Sequence, residues 1–219
     1  FEVVFMCRFI NLNIDMSELE EWFSDYDRRI DFYEKKIFIL ADTYPVLPIV
    51  TREGILKAKW GLVPHWVKTK AEAMEIRKFN INARQETIFQ KPSFRGSMTT
   101  RRCLIPVNGF YEYKHLEDKS TELYEINILL RKLFCLAGIY DEWVDKESGK
   151  VYRSFSVITT ESNKKISEIH DRMPIILTSK KDEELWLESG DLKLIKELMG
   201  SYDIPNLIME LKDKEITKI

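Results

Sequence analysis

Between Arg101 and Thr160 the chain offers one apolar extended run after another, each closed by a short polar turn. This succession constrains the fold more than anything else in the sequence. Cys103-Leu104-Ile105 runs into Pro106 and Asn108-Gly109, then resumes as Phe110-Tyr111-Glu112-Tyr113. Residues 116–120 read as a hairpin turn, and 121–130 and 133–143 as strands joined through Arg131-Lys132. Ser148-Gly149 marks another hairpin before a long strand over 151–160. β-Branched and aromatic residues dominate these runs, which predicts an antiparallel sheet curled into a partial barrel. Residues 45–50 and 55–62, on either side of the turn Thr51-Arg52-Glu53-Gly54, add two more strands.

Helical signals lie around this centre. Ser17 with Glu20 three residues on predicts an N-cap and a helix to about Arg28. A short helix is expected over 86–89, and another, capped by Asn163, over 164–169. Residues 182–187 and 192–199 have amphipathic spacing, 1–5 alternate like a short strand, and 203–219 read as a weak strand or helix. The expected fold class is α+β, with an antiparallel, barrel-like β-sheet core and peripheral helices. Eight Gly, seven Pro and no linker-like tract in 219 residues favour one domain over 1–219. Its motifs lie within about 55–178, and an acidic helical layer is expected over about 180–219.

No apolar run reaches bilayer length and no signal-peptide pattern is present, so a soluble cytoplasmic protein, not a membrane protein, is the expectation. Nothing suggests an obligate dimer, so a monomer is expected. Cys7, Cys103 and Cys135 are scattered and lack paired spacing, which indicates neither a disulfide framework nor a structural zinc site. The net charge of −2 hides a segregation. From Lys68 to Lys114 ten basic residues face four acidic ones, leaving that span at +6 and the rest of the chain at −8. A basic middle within an acidic protein suits a polyanion; solvated loops would give the same tally.

Several residues invite a chemical reading. In an extended segment Phe110 and Glu112 share one face while Tyr111 and Tyr113 share the other. Glu112 is then either a strand carboxylate pointing into water, or a carboxyl whose apolar surroundings raise its pKa for proton transfer. Asn82-Ala83-Arg84 offers an amide and a guanidinium two apart, suited to a carbonyl or phosphate clamp. Trp60 and Trp66 flank the Pro64 break as core anchors or as stacking shelves for nucleobases, with His65 a surface loop residue. His170-Asp171-Arg172-Met173-Pro174 closes a short helix, where His170 is either a cap or a catalytic base.

Taken together, WGLVPHW (60–66), Asn82-Ala83-Arg84 with Glu86-Thr87, RRCLIPVNGFYEY (101–113), AGIYDEW (137–143), ITTESN (158–163) and IHDRMPIIL (169–177) resemble the SOS response-associated peptidase (SRAP) family, in that family's order. The resemblance implies an abasic-site protein that binds single-stranded DNA in a positively charged groove and needs no cofactor or metal. It implies that a mature N-terminal cysteine, here Cys7, reacts with the ring-opened sugar aldehyde. By the same likeness Asn82 and Arg84 position the N-terminus and the DNA backbone, Glu112 and His170 move protons, and Arg172 contacts DNA. Trp60, Trp66, Tyr113 and Arg8 complete the expected DNA-binding set. Two departures stand out: Cys7 is followed at once by Arg8 where the family usually has an intervening Gly, and Tyr113 replaces a common Trp. Six residues also precede Cys7; a start at Met6 would leave Cys7 first once Met is removed. A cysteine peptidase acting on its own leader, and a non-covalent single-stranded DNA-binding module, are the alternative readings.

Overall fold

The computed structural model describes residues 7–27, 35–200 and 202–213. The strand expected over 1–5 lies outside them. In chain order the strands are β1 (Phe9–Leu12), β2 (Lys36–Leu40), β3 (Val46–Thr51), β4 (Gly54–Trp60), β5 (Asn82–Arg84), β6 (Arg102–Val107) and β7 (Gly109–His115). They continue with β8 (Thr121–Ile128), β9 (Phe134–Val144), β10 (Val151–Glu161), β11 (Arg172–Pro174), β12 (Ile176–Leu177) and β13 (Leu207–Lys212). The helices are α1 (Met16–Trp22), α2 (Lys70–Phe79), α3 (Arg95–Thr100), α4 (Lys180–Glu188) and α5 (Leu192–Leu198).

Five strands close on themselves as β10-β4-β3-β6-β9, with β9 returning to β10. Four of the five pairings are antiparallel; β4 and β10 meet parallel, Lys59 opposite Ser154 and Trp60 opposite Phe155. The barrel expected as partial is therefore closed, through one parallel seam that hairpin signals do not announce. Gly138 on β9 sits in tight packing, where an added Cβ would meet Ile105 Cδ1 at 2.6 Å and the Ser156 carbonyl oxygen at 3.1 Å. The second sheet runs β13-β8-β7-β1-β2. The two sheets are continuous in the chain, since β6 passes into β7 with only Asn108 between them. That corner is pinned: Asn108 Oδ1 accepts from the Asn13 amide (2.6 Å) and Asn108 Nδ2 donates to the Lys132 carbonyl (2.7 Å).

Several helix expectations need correction. The first helix starts from Asp15, not Ser17, in a capping box with Glu18 (Asp15 N–H to Glu18 Oε2, 2.9 Å), and ends at Trp22. Ser17 then falls at the second helical residue, inside the cap. Residues 86–89 form turns, and 164–169 tighten to a 3₁₀ turn over Ile166–Glu168, with Asn163 Oδ1 accepting from the Ile166 amide (2.9 Å). Helix α2 went unpredicted although Thr69-Lys70-Ala71-Glu72 is a capping box: Thr69 Oγ1 accepts from Glu72 N–H at 3.2 Å, and Glu72 Oε2 from Thr69 N–H at 3.3 Å. The C-terminal layer is not wholly helical, because β13 extends the second sheet along β8.

Candidate active site around Cys7 and Glu112

Glu112 sits on β7, facing inward with Phe110. Tyr111 and Tyr113 face the other way into an aromatic cluster, with Phe9–Tyr113 centroids 5.6 Å apart and Phe38–Tyr111 centroids 5.1 Å apart. Alternation along the strand thus placed the faces correctly. Of the two readings of Glu112 the buried one holds: it is 3% exposed. Strand β1 lies antiparallel beside β7 with Phe9 opposite Tyr111, which carries Cys7 to the Glu112 side chain. The Cys7 backbone N–H donates to Glu112 Oε1 at 2.6 Å. From the far side Asn82, held on β5 against Val157 of β10, donates its Nδ2 to the Cys7 carbonyl at 3.2 Å. Two distant side chains therefore grip both polar groups of one backbone unit.

That unit is strained and dry. Cys7 has φ +32°, a left-handed conformation that costs a residue with a Cβ about 1–3 kcal/mol. Its thiol is fully buried, and burial, then the nearby Glu112 charge, push it well above the ordinary thiol range. Burial likewise raises Glu112 to about 8, with Asp171 adding to the rise and the Cys7 and Tyr113 amides opposing it. At neutral pH Glu112 is therefore mostly an acid holding its proton.

His170 ends the 3₁₀ turn and is 7% exposed. Its Nδ1 accepts the Arg172 amide at 3.0 Å, so in the neutral ring the proton sits on Nε2. Burial lowers its pKa, while Asp171, whose Oδ1 lies 3.0 Å from Nδ1, works against that. Asp171 acts on both Glu112 and His170, so the loop carrying the imidazole borders the Cys7 pocket. Among the described residues no hydrogen bond joins His170 directly to Cys7 or Glu112.

The expected DNA contacts divide. Arg84 is exposed on β5, Trp66 is 48% exposed, and Tyr113 is half-buried. Trp60 is fully buried, stacked on Phe155 (centroids 5.8 Å, planes 19° apart) with its Nε1 donating to the Ile81 carbonyl, so it is a core anchor and not a shelf. Arg172 is not a free DNA contact either. Its guanidinium is 7% exposed and grips Glu86 through two bonds (2.5 and 3.0 Å), with a third to the Thr159 carbonyl. Burial works against the Glu86 carboxylate, yet Arg172 holds its pKa below the ordinary value. Arg8 is paired with Asp42. Sequence reasoning gave no role to Asp171 or Glu86, although both stand in the quoted blocks. Among the described residues no cluster of three or more His, Cys, Asp or Glu side chains is arranged to hold a metal ion, and no helix is long and apolar enough to cross a membrane.

Comparisons with known proteins follow the same pattern. The profile of the SOS response associated peptidase (SRAP) family matches residues 6–217. The abasic site processing protein YoqW of Bacillus subtilis is 33% identical over 200 residues, covering 84% of this chain and 87% of the relative. The abasic site processing protein HMCES of Rattus norvegicus is 30% identical over 179 residues, covering 70% of this chain and 50% of that longer protein. A crystal structure of a protein from Bacteroides thetaiotaomicron superposes with a TM-score of 0.91 at 30% identity, covering 97% of this chain and 95% of the other. One from Bordetella bronchiseptica, at 17% identity and TM-score 0.79 over 94% of this chain and 100% of the other, shares the fold. On the match over nearly its whole length, the chain belongs to the SRAP family.

Proposed function

We propose that this protein processes abasic sites in single-stranded DNA and that, once the bond between Met6 and Cys7 is cleaved, Cys7 captures the ring-opened sugar as a thiazolidine. The observation that carries the reading is the 2.6 Å bond from the Cys7 nitrogen to Glu112. The atom that would attack already lies against a buried proton carrier. The names of the relatives support the target.

The chemistry needs an amine and a thiol on one residue. An α-amine titrates near 7.7–8.0, so part of it is unprotonated at neutral pH, unlike a lysine. It adds to the C1′ aldehyde, and the carbinolamine loses its hydroxyl as water to leave an imine. The thiol then adds across the C=N bond, sulfur to carbon and proton to nitrogen, closing a five-membered ring; one water is released overall. The second addition is intramolecular and its entropic cost is largely met in advance. Glu112 hands the proton to the departing hydroxyl and takes one from the nitrogen, a role its raised pKa suits. His170 Nε2–H serves as a second donor at the sugar. Asn82 fixes the Cys7 carbonyl and with it the direction of the amine.

The left-handed φ at Cys7 favours a preceding self-cleavage step, because the dihedral ceases to exist when the Met6–Cys7 bond breaks. Incubating protein that begins at Cys7 with abasic single-stranded DNA tests the proposal. A heat-stable adduct on a denaturing gel, lost in Cys7→Ala, is expected; no adduct, or one undiminished by that change, overturns it.

A further inference from the structure

Outside the Cys7 pocket, a cavity of about 260 Å³ opens between helix α2 and the parallel seam of the barrel. Lys70 and Arg77 line it from one face of α2, Lys59 from β4 and Arg153 from β10, over a floor that includes Trp143 and Tyr152. Four cations around two aromatic rings is an unusual lining for a gap left by packing. Two of the cations are partly neutralised: Arg153 bonds Glu142 at 2.5 Å, and Lys70 lies close enough to Asp145 to lower that carboxyl's pKa. Lys59 and Arg77 have no such partner, and among the described residues neither belongs to an ion pair. Lys59 stands 5.9 Å over the Tyr152 ring. Arg77 Cζ lies 3.7 Å over the Tyr44 ring centroid, and its Nε is buried without a hydrogen-bond acceptor. A guanidinium pinned in place with an unused N–H is pre-set for an anion arriving from outside the protein.

We propose that this cavity is a nucleotide subsite, in which Lys59 and Arg77 hold a phosphate and the Tyr152 ring, backed by the buried Trp143, takes the planar base. Tyr152 and Trp143 pack with centroids 5.6 Å apart and planes tilted by 33°; Trp143 is 2% exposed, so the half-buried Tyr152 is the ring of the pair that keeps accessible surface. A bare phosphate would leave that floor unused, and an acidic peptide has no plane to lay on it. The subsite lies near the Cys7 pocket: Arg77 is five residues before Asn82, and on β10 Ser154 lies about 10 Å from the Val157 that pairs with Asn82. That spacing suits a nucleotide flanking the abasic position in the same strand. The identity of that strand rests on the function proposed above; the pocket's affinity for a nucleotide does not.

The test titrates the full chain with thymidine monophosphate, thymidine, inorganic phosphate and oligo(dT) of increasing length, in the wild type and in Lys59→Gln, Arg77→Gln and Tyr152→Ala. Lys59 is exposed, so its variant remains folded if the Arg77 change disturbs the Tyr44 stack. The expected result is oligonucleotide binding weakened several-fold by each change, with Lys59→Gln reducing the salt slope by about 0.7. Loss of monophosphate binding as well supports the pocket with a free nucleotide as its source; loss confined to oligonucleotides supports it with a strand nucleotide. Phosphate competing as well as the monophosphate, or unchanged binding in all three variants, overturns the proposal. Adduct formation at Cys7 is scored in parallel: an adduct with no affinity change sinks the pocket alone, and pocket-dependent binding with no adduct sinks the cross-linking function alone.

Discussion

The backbone nitrogen of Cys7 and Oε1 of Glu112 lie 2.6 Å apart with both residues almost wholly out of water. One partner is 105 positions further along the chain, so this bond exists only because β1 lies beside β7. Its consequences can be measured.

The first is a pH dependence of stability. Folding raises Glu112 from 4.5 to about 8, so between those values the folded protein binds a proton that the unfolded chain has released. The stabilisation is fully present below about pH 4.5 and is lost as pH rises through about 8, a full fall on the order of 5 kcal/mol. Urea unfolding from pH 5 to 8 should show this decline in the full chain, and Glu112→Gln should flatten it. A wild-type curve already flat over that range would mean the carboxyl is ionised.

Catalytically, Glu112→Gln in protein beginning at Cys7 should slow adduct formation by about 10²–10⁴-fold while leaving affinity for intact single-stranded DNA within a factor of two. Single-turnover gel kinetics measure the rate and fluorescence anisotropy the affinity. Equal losses in both would assign Glu112 to binding.

Arg172 and Arg84 should separate cleanly. Arg172→Ala removes its bonds to the exposed Glu86 and to the Thr159 carbonyl and should cost about 1–3 kcal/mol of stability, read from the urea midpoint, with little change in the salt dependence of DNA binding. Arg84→Gln should barely affect stability and should lower the salt slope by about 0.7. The opposite pattern would restore Arg172 as the DNA contact.

The two tryptophans of the WGLVPHW block should behave as differently. Trp60→Ala opens a hole against Phe155 and should cost about 3–5 kcal/mol of stability. Trp66→Ala should leave the melting temperature nearly unchanged and weaken DNA binding by about 1–3 kcal/mol if its half-exposed indole stacks on a base.

Much of the architecture could be read in advance because it is locally encoded. The turns at Ser148-Gly149 and over 116–120, and the alternation through Phe110–Tyr113, report strands whose partners are adjacent in the chain. The parallel contact of β4 with β10 could not be read, since it joins segments nearly a hundred residues apart with no turn between them to mark it. Helix α2 is locally encoded too, in the capping box of Thr69 and Glu72.

By itself the sequence determined the strand succession, the family, and the residue types gathered in the site: Cys7, Asn82, Glu112 and His170. Only the tertiary structure decided which side chains meet water. It sealed Trp60 into the core, turned Arg172 inward onto Glu86, and brought Glu112 to the Cys7 nitrogen. The physical reason is that alternation fixes which face of a strand a side chain occupies, whereas burial depends on what other strands lay against that face. Charge and proton affinity follow from that burial, so they too were set by packing.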